Sequence, residues 1–325
     1  MYDNREYSNP RKHYTLPKLT LLFSFFIWSM IPLMAHEPAS DGEKATLPDD
    51  VFSSKEVYFS HIHGIGYNND GNSILVASHA GIMLYTNRQW QVPDLPAHDY
   101  MGFAPVDEGF YSSGHPALNT DLLNPLGLVK VGDNGKEFTS LAFAGVFDFH
   151  QMAAGYYNHA IYVNNNKSHL QLKSGLNYTL DEGKTWTQSG TNRLLEWASQ
   201  IAVHPTDVST IAIATTKGLY LSKDFGSKFT RLTDDNIITA VSFSPDGQFL
   251  VYGHQTIERY WLSSRKTDSI SYPEISKDDF TTFITINPMR TNEIVLVTKK
   301  KNIFVSNHWG KSWFQIAREG KGISN

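Results

Sequence analysis

The sequence predicts an all-β protein, a six-bladed β-propeller. Two observations predict it. A short loop pattern of hydroxyl, acid, glycine and aromatic recurs along the chain, and strand-like segments fill the intervals between its copies. In the best copy, Tyr178 to Trp186, Thr179 precedes Asp181, Gly183 and Trp186. Asp181 can accept hydrogen bonds from the backbone N–H groups of its own turn, Gly183 can take a positive φ at little cost, and Trp186 can bury its ring between strands. Ser222-Lys-Asp224-Phe-Gly226-Ser-Lys-Phe229 repeats the frame. Ser306 to Trp313 repeats it with His308 in place of the acid, and Asp133-Asn-Gly135 to Phe138 repeats it without the leading hydroxyl. The acid positions lie 48, 43 and 84 residues apart, the last being a double step. A fixed period of roughly 40–50 residues, with about four strands per repeat, is the signature of a propeller.

The double step predicts a worn copy near position 266, where Tyr260 to Asp268 lies. One step before Asp133, Leu84 to Trp90 reads as a shortened copy, with Arg88 near the acid position and Trp90 near the aromatic one. Six repeats result.

These loops resemble the boxes of Asp-box (BNR) propellers, a group that includes sialidases, sortilin-type receptors and photosystem assembly factors. The resemblance covers roughly 57–318. It implies that the Asp-box hairpins sit at the outer rim, away from the ligand face, which makes Asp133, Asp181 and Asp224 structural.

Residues 1–18 are polar and carry Arg5, Arg11, Lys12 and Lys18, and Leu19 to Ala35 is apolar. This order reads as residues 1–35 forming a secretory signal cut after Ala35, or an N-terminal membrane anchor with its start inside. Pro32 interrupts a run already short for a span of about 20 residues. Either way the body is extracytoplasmic: secreted, periplasmic or membrane-anchored facing outside. Residues 36–54 read as a linker and 55–325 as the propeller. His36 follows the predicted cut and would ligate metal only with a free N-terminus beside it; a tail is the simpler reading.

Blade 1 is expected over 57–95, with the alternating run Val57 to Tyr67 innermost and Asn69-Asp70-Gly71 as its turn. Blade 2 covers 99–144, with an insertion from Asn119 to Leu126. Blade 3 covers 145–190, with Val146 to Ala153 innermost and His159 opening its second strand. Blades 4, 5 and 6 cover 197–232, 236–275 and 279–318, with strand-like runs such as Thr210 to Thr215 and Glu293 to Val297. Ring closure is expected to pair the chain ends, because open strand edges are a liability.

Composition removes several functions. The 325 residues contain no cysteine, which excludes disulfides, thiolate ligands, a cysteine nucleophile and a lipoprotein cysteine anchor. A net charge of −4 offers no electrostatic footprint for nucleic acid. Lys299-Lys300-Lys301 is a lone basic run and reads as a solvated hairpin.

Histidine is the notable residue of the innermost strands. His61 and His63 are two apart, so strand alternation puts both on one side. His79 and His115 close the second strands of blades 1 and 2, and His150 follows Asp148 by two. A metal site of His61, His63, His79, His115, Asp148 and His150, holding zinc or copper, fits these donors. The competing reading makes them polar channel liners bonded to water or backbone. Met101 and Met152 are soft-ligand candidates or packing residues, and His204, before Pro205, is structural.

Enzyme activity stays open. The Arg-Ile-Pro motif of sialidases is absent, and the few arginines fall mostly at rim positions. A glycoside hydrolase-like enzyme, the alternative, would draw its acids from Asp99, Asp107, Asp148 and Glu196, but no spacing singles out a pair. The whole-chain pattern is most similar to exported bacterial BNR or sortilin-like proteins that are grouped with glycosyl hydrolases by fold. His61 to Tyr67, Tyr111 to Pro116 and Asp148 to His150 carry that similarity. It leaves activity unsettled, because a fold hosts many functions. The expected role is a monomeric binding or scaffold protein for an envelope protein or glycan.

Overall fold

The computed structural model describes the backbone of Phe52–Ser53 and residues 56–133, 135–190 and 197–324. The readings of residues 1–35 as leader or anchor, of the linker as far as Val51, and of His36 and Glu196 lie outside the described residues.

Six antiparallel sheets stand in a ring, each built on a four-strand meander from one continuous stretch of chain; the first and last sheets each carry a short fifth strand at the outer edge, Phe52–Ser53 and Lys321–Gly322. The innermost strands are Ile62–Tyr67, Asp99–Val106, Gln151–Ala154, Ala198–Val203, Ala240–Phe243 and Thr281–Ile286. Each touches the next around the ring, and the first touches the last. Six apolar clusters fill the six gaps between neighbouring blades; blades 2 and 3, for example, share Val106, Tyr111, Phe147, Phe149 and Ile161. Blade packing explains a departure from simple alternation. The second strands Ile74–Ser78, Ile211–Thr215, Phe249–Gly253 and Ile294–Thr298 are buried at every residue. Sheets covered on both faces call for continuous apolar runs rather than period-two patterns.

The recurring loops join the third strand of a blade to its outermost strand. In blade 3, Thr185 N donates to Asp181 Oδ1 at 2.8 Å and Gly183 N donates to Thr179 Oγ1 at 2.9 Å. Blade 4 repeats this geometry: Lys228 N donates to Asp224 Oδ1 at 2.9 Å and Gly226 N to Ser222 Oγ at 2.9 Å. In blade 6 the hydroxyl alone suffices, with Gly310 N donating to Ser306 Oγ at 2.8 Å. The loops of blades 2, 5 and 1 differ. Asp133 lacks a hydroxyl two residues before it and accepts instead from Asn69 N of blade 1 at 3.1 Å. Blade 5 turns tightly at Arg265, whose N–H donates to Trp261 O. Blade 1 uses a two-residue turn with Asn87 and Arg88 both at positive φ, so Arg88 takes no acid-like role.

Ring closure needs no blade shared between the two ends. Phe59 N donates to Gly320 O at 2.7 Å and Gly322 N to Val57 O at 2.9 Å. Trp90 is buried beside this clasp, stacked edge-on against Phe59, and its Nε1 donates to Ile316 O at 2.7 Å.

Candidate functional site at the channel mouth

The chain direction sorts the molecule into two faces. Innermost strands start on one face and second strands return to it, whereas the recurring hairpins lie on the other. His61, His63, His79, Asp99, His115, Asp148 and His150 all fall on the first face. The innermost strand of blade 3 begins only at Gln151, not at Val146 as the alternation predicts. Asp148 and His150 therefore sit in the loop before it, where Phe147 and Phe149 bury their rings and hold the segment down. His159 does not open a second strand either. It occupies a turn at φ 57° on the opposite face, bonded to Asp107 and Tyr111.

A β-bulge shapes the mouth. In blade 1, Ile62 pairs with Ser78 and Gly64 with Ala77, which leaves His63 as the extra residue. Bulges fall at the same level in blades 2, 4 and 6, next to Met101, Ser199 and Thr282. A bulge leaves a residue outside the ladder and re-aims its side chain. His63, Met101 and Ser199 line a cavity of about 200 Å³ with His61 and His150. His61 itself precedes the strand, and its ring centroid lies 4.6 Å from that of His63.

Three histidines converge there. One nitrogen each from His61, His63 and His79 lies within 4.8 Å of the others. His63 Nε2 and His79 Nδ1 are 3.3 Å apart. Asp99 Oδ2 lies 2.9 Å from His79 Nδ1, and Asp99 Oδ1 lies 3.5 Å from His63 Nε2. Burial pushes the His63 imidazole down to about 4, and the charges that His61 and His79 would carry push the same way; Asp99 opposes this and loses. His61 is lowered as well, by burial first and then by His79, Lys299 and Lys301. His61 and His63 thus disfavour protons while presenting nitrogen lone pairs, which suits a metal cation.

The remaining predicted residues form a neighbouring set. Asp148 Oδ2 is 2.7 Å from His150 Nε2 and 3.4 Å from His115 Nε2, and His115 Nδ1 meets Asn124 Oδ1 at 2.7 Å. His150 is 60 % exposed, so this set faces solvent more than His63, at 7 %. Met101 and Met152 line the cavity walls. His204 is a turn residue: Asp207 N donates to its Nδ1 at 3.0 Å. Sequence reasoning filed Asp99 among acids for hydrolysis and missed its place beside His63 and His79. A signal existed in its position at the start of an innermost strand, as Asp148 stands before the next one.

No protein-family model and no curated protein sequence matches the chain. Solved structures do. The GH74 enzyme of Niastella koreensis superposes with a TM-score of 0.56 at 16 % identity, over 82 % of this chain and 47 % of that one. The GH74 xyloglucanase of Xanthomonas campestris gives 0.51 at 13 % identity, over 82 % and 46 %. YCF48 bound to D1 peptide gives 0.46 at 14 % identity, over 83 % and 85 %. The chain spans about half the length of the two GH74 proteins. The likeness to them is one of fold, a β-propeller. Among the described residues, no helix is long and apolar enough to cross a membrane.

Proposed function

We propose that this chain is a metal-binding β-propeller of the Asp-box group that holds zinc or copper at the channel mouth. His61, His63 and His79 supply the nitrogens. Asp99 serves as the fourth donor. One observation supports this above the others: three imidazole nitrogens within 4.8 Å of one another. Ligand atoms of a tetrahedral zinc with bonds of roughly 2.0–2.1 Å are about 3.3 Å apart. The 3.3 Å between His63 and His79 and the 3.5 Å between His63 and Asp99 match that spacing. The 2.9 Å from Asp99 Oδ2 falls on His79 Nδ1, the same nitrogen that faces His63, so the carboxylate stands among the donor atoms rather than behind the imidazole on its other nitrogen. His115, Asp148 and His150 add a donor set on the same face. In this reading the protein works outside the cytoplasm as a monomer, and an envelope protein or glycan meets the His-lined face. The hydrolase alternative draws only on the fold shared with the GH74 enzymes, and fold does not assign chemistry.

The test is metal content by mass spectrometry on untagged protein, beside a His61→Ala/His63→Ala variant. About one zinc or copper per chain, lost in a variant that keeps its circular dichroism spectrum, is the expected result. No metal in either protein after incubation with both ions would overturn the reading.

A further inference from the structure

A larger recess adjoins the histidines on the side of blades 5 and 6. It measures about 530 Å³, within the range of small-molecule sites. Lys299 and Lys301 line it, together with Ser60, Ser199, Thr239 and Thr282, and neither Asp nor Glu does. Phe280 and Phe283 provide an apolar wall.

The lysines are placed by a built turn. Asp279, fully buried, accepts from Lys300 N at 2.9 Å and from Asn302 Nδ2 at 3.0 Å, so its carboxylate is spent on backbone and amide. Lys301 stands at φ 62°, and its N–H donates to Thr298 O. Lys300 turns away to an ion pair with Asp278 at 2.6 Å. Lys299 is exposed and forms no ion pair among the described residues. Among the described residues, Lys301 Nζ reaches Ser60 O, at 3.5 Å, and the face of Tyr58. Two lysines therefore line a polar recess that, among the described residues, offers no carboxylate to neutralise them.

We propose that this recess binds an oxyanion, a carboxylate or a phosphate, borne on a flat apolar group. Lys299, Lys301 and the hydroxyls of Ser60 and Ser199 hold the charge, and the apolar part lies against Phe283 and Phe280. The proposal does not depend on a metal at the histidines, and its test is run without one. Calorimetric titration of protein dialysed against EDTA would use benzoate, phenyl phosphate and the neutral benzamide. The expected result is about one site per chain for benzoate or phenyl phosphate, and no measurable binding of benzamide. Lys299→Gln/Lys301→Gln should weaken the anion at least tenfold, and raising the salt concentration should weaken it further. Lys299→Gln alone, at an exposed position, should show a smaller loss in the same direction with the melting temperature unchanged. Three results would each overturn the proposal: neither anion binds, benzamide binds as well as benzoate, or the double variant binds like the parent.

Discussion

Nδ1 of His79 lies 2.9 Å from Oδ2 of Asp99, the first residue of the next blade's innermost strand, and the other oxygen of that carboxylate is buried with His63 Nε2 3.5 Å away and no hydrogen-bond partner among the described residues. The relationship recurs one blade on. His115, at the end of a second strand, faces Asp148, ahead of the next innermost strand, and Asp148 Oδ1 is likewise buried and unpartnered. A buried carboxylate oxygen left unpaired is costly, and a cation beside it would offset that cost. Asp99→Asn should therefore weaken zinc or copper binding by about 10–100-fold, measured by competition with a chromophoric chelator. Asp148→Asn should change the same affinity only a few-fold. Equal losses from both would mean that the two sets act as one site.

The depressed His63 pKa makes stability depend on pH. The folded protein holds this imidazole neutral down to about pH 4, whereas the unfolded chain protonates it near 6.5. Between those values the unfolded state binds more protons, so stability is complete above about pH 6.5 and falls as the pH drops towards 4. The groups facing His63 are His61, His79, Asp99 and His150. Metal-free protein should lose about 2 kcal/mol through His63 between pH 7.5 and pH 5, by linkage with 1.36 kcal/mol per pKa unit. Guanidinium unfolding at the two pH values would measure it, and His63→Gln should remove that share of the loss.

Trp90 holds the ring closed. Its side chain is 4 % exposed, and its indole N–H donates across the seam to Ile316 O. Trp90→Ala should destabilise the fold by roughly 3–5 kcal/mol. Trp90→Phe should cost less, because it keeps the packing against Phe59 and Tyr85 and gives up the hydrogen bond. Denaturant midpoints for the two variants would separate these contributions.

A control lies on the opposite face. Tyr111 OH donates to Glu182 Oε1 at 2.6 Å and sits 2.9 Å from His159 Nδ1, while Lys130 Nζ donates to the same Glu182 oxygen at 2.9 Å. Tyr111→Phe should cost about 1–2 kcal/mol of stability. Metal content should stay at the parental value, since this network is on the face away from the histidines.

The architecture was readable where local chemistry carries it. A hydroxyl two residues before the acid and a glycine two after it suffice to build the hairpins at Asp181 and Asp224, and the hydroxyl of Ser306 preserves the third with His308 in the acid position. At Asp133, where no hydroxyl precedes, the copied pattern does not yield the copied hydrogen bonds. The face shared by His61, His63 and His79 was also legible, because strand order alone places their ends together. Asp99 was not singled out, although its place at the start of an innermost strand, beside the histidine that closes the previous blade's second strand, matches that of Asp148. Nor was the bulge at His63, which arises from pairing with Ser78 and Ala77 rather than from the residues beside it.

The clasp between Val57–Phe59 and Gly320–Gly322 has a consequence for chain order. Every blade is continuous in sequence, and the two clasp segments already lie side by side. The ring is therefore indifferent to where the polypeptide is cut. A chain joined across the clasp by a short linker and reopened between two other blades would keep all six interblade cores, and exposed connections of this kind tolerate such rewiring. The histidine face could then be presented from a protein whose first and last residues lie anywhere around the circle.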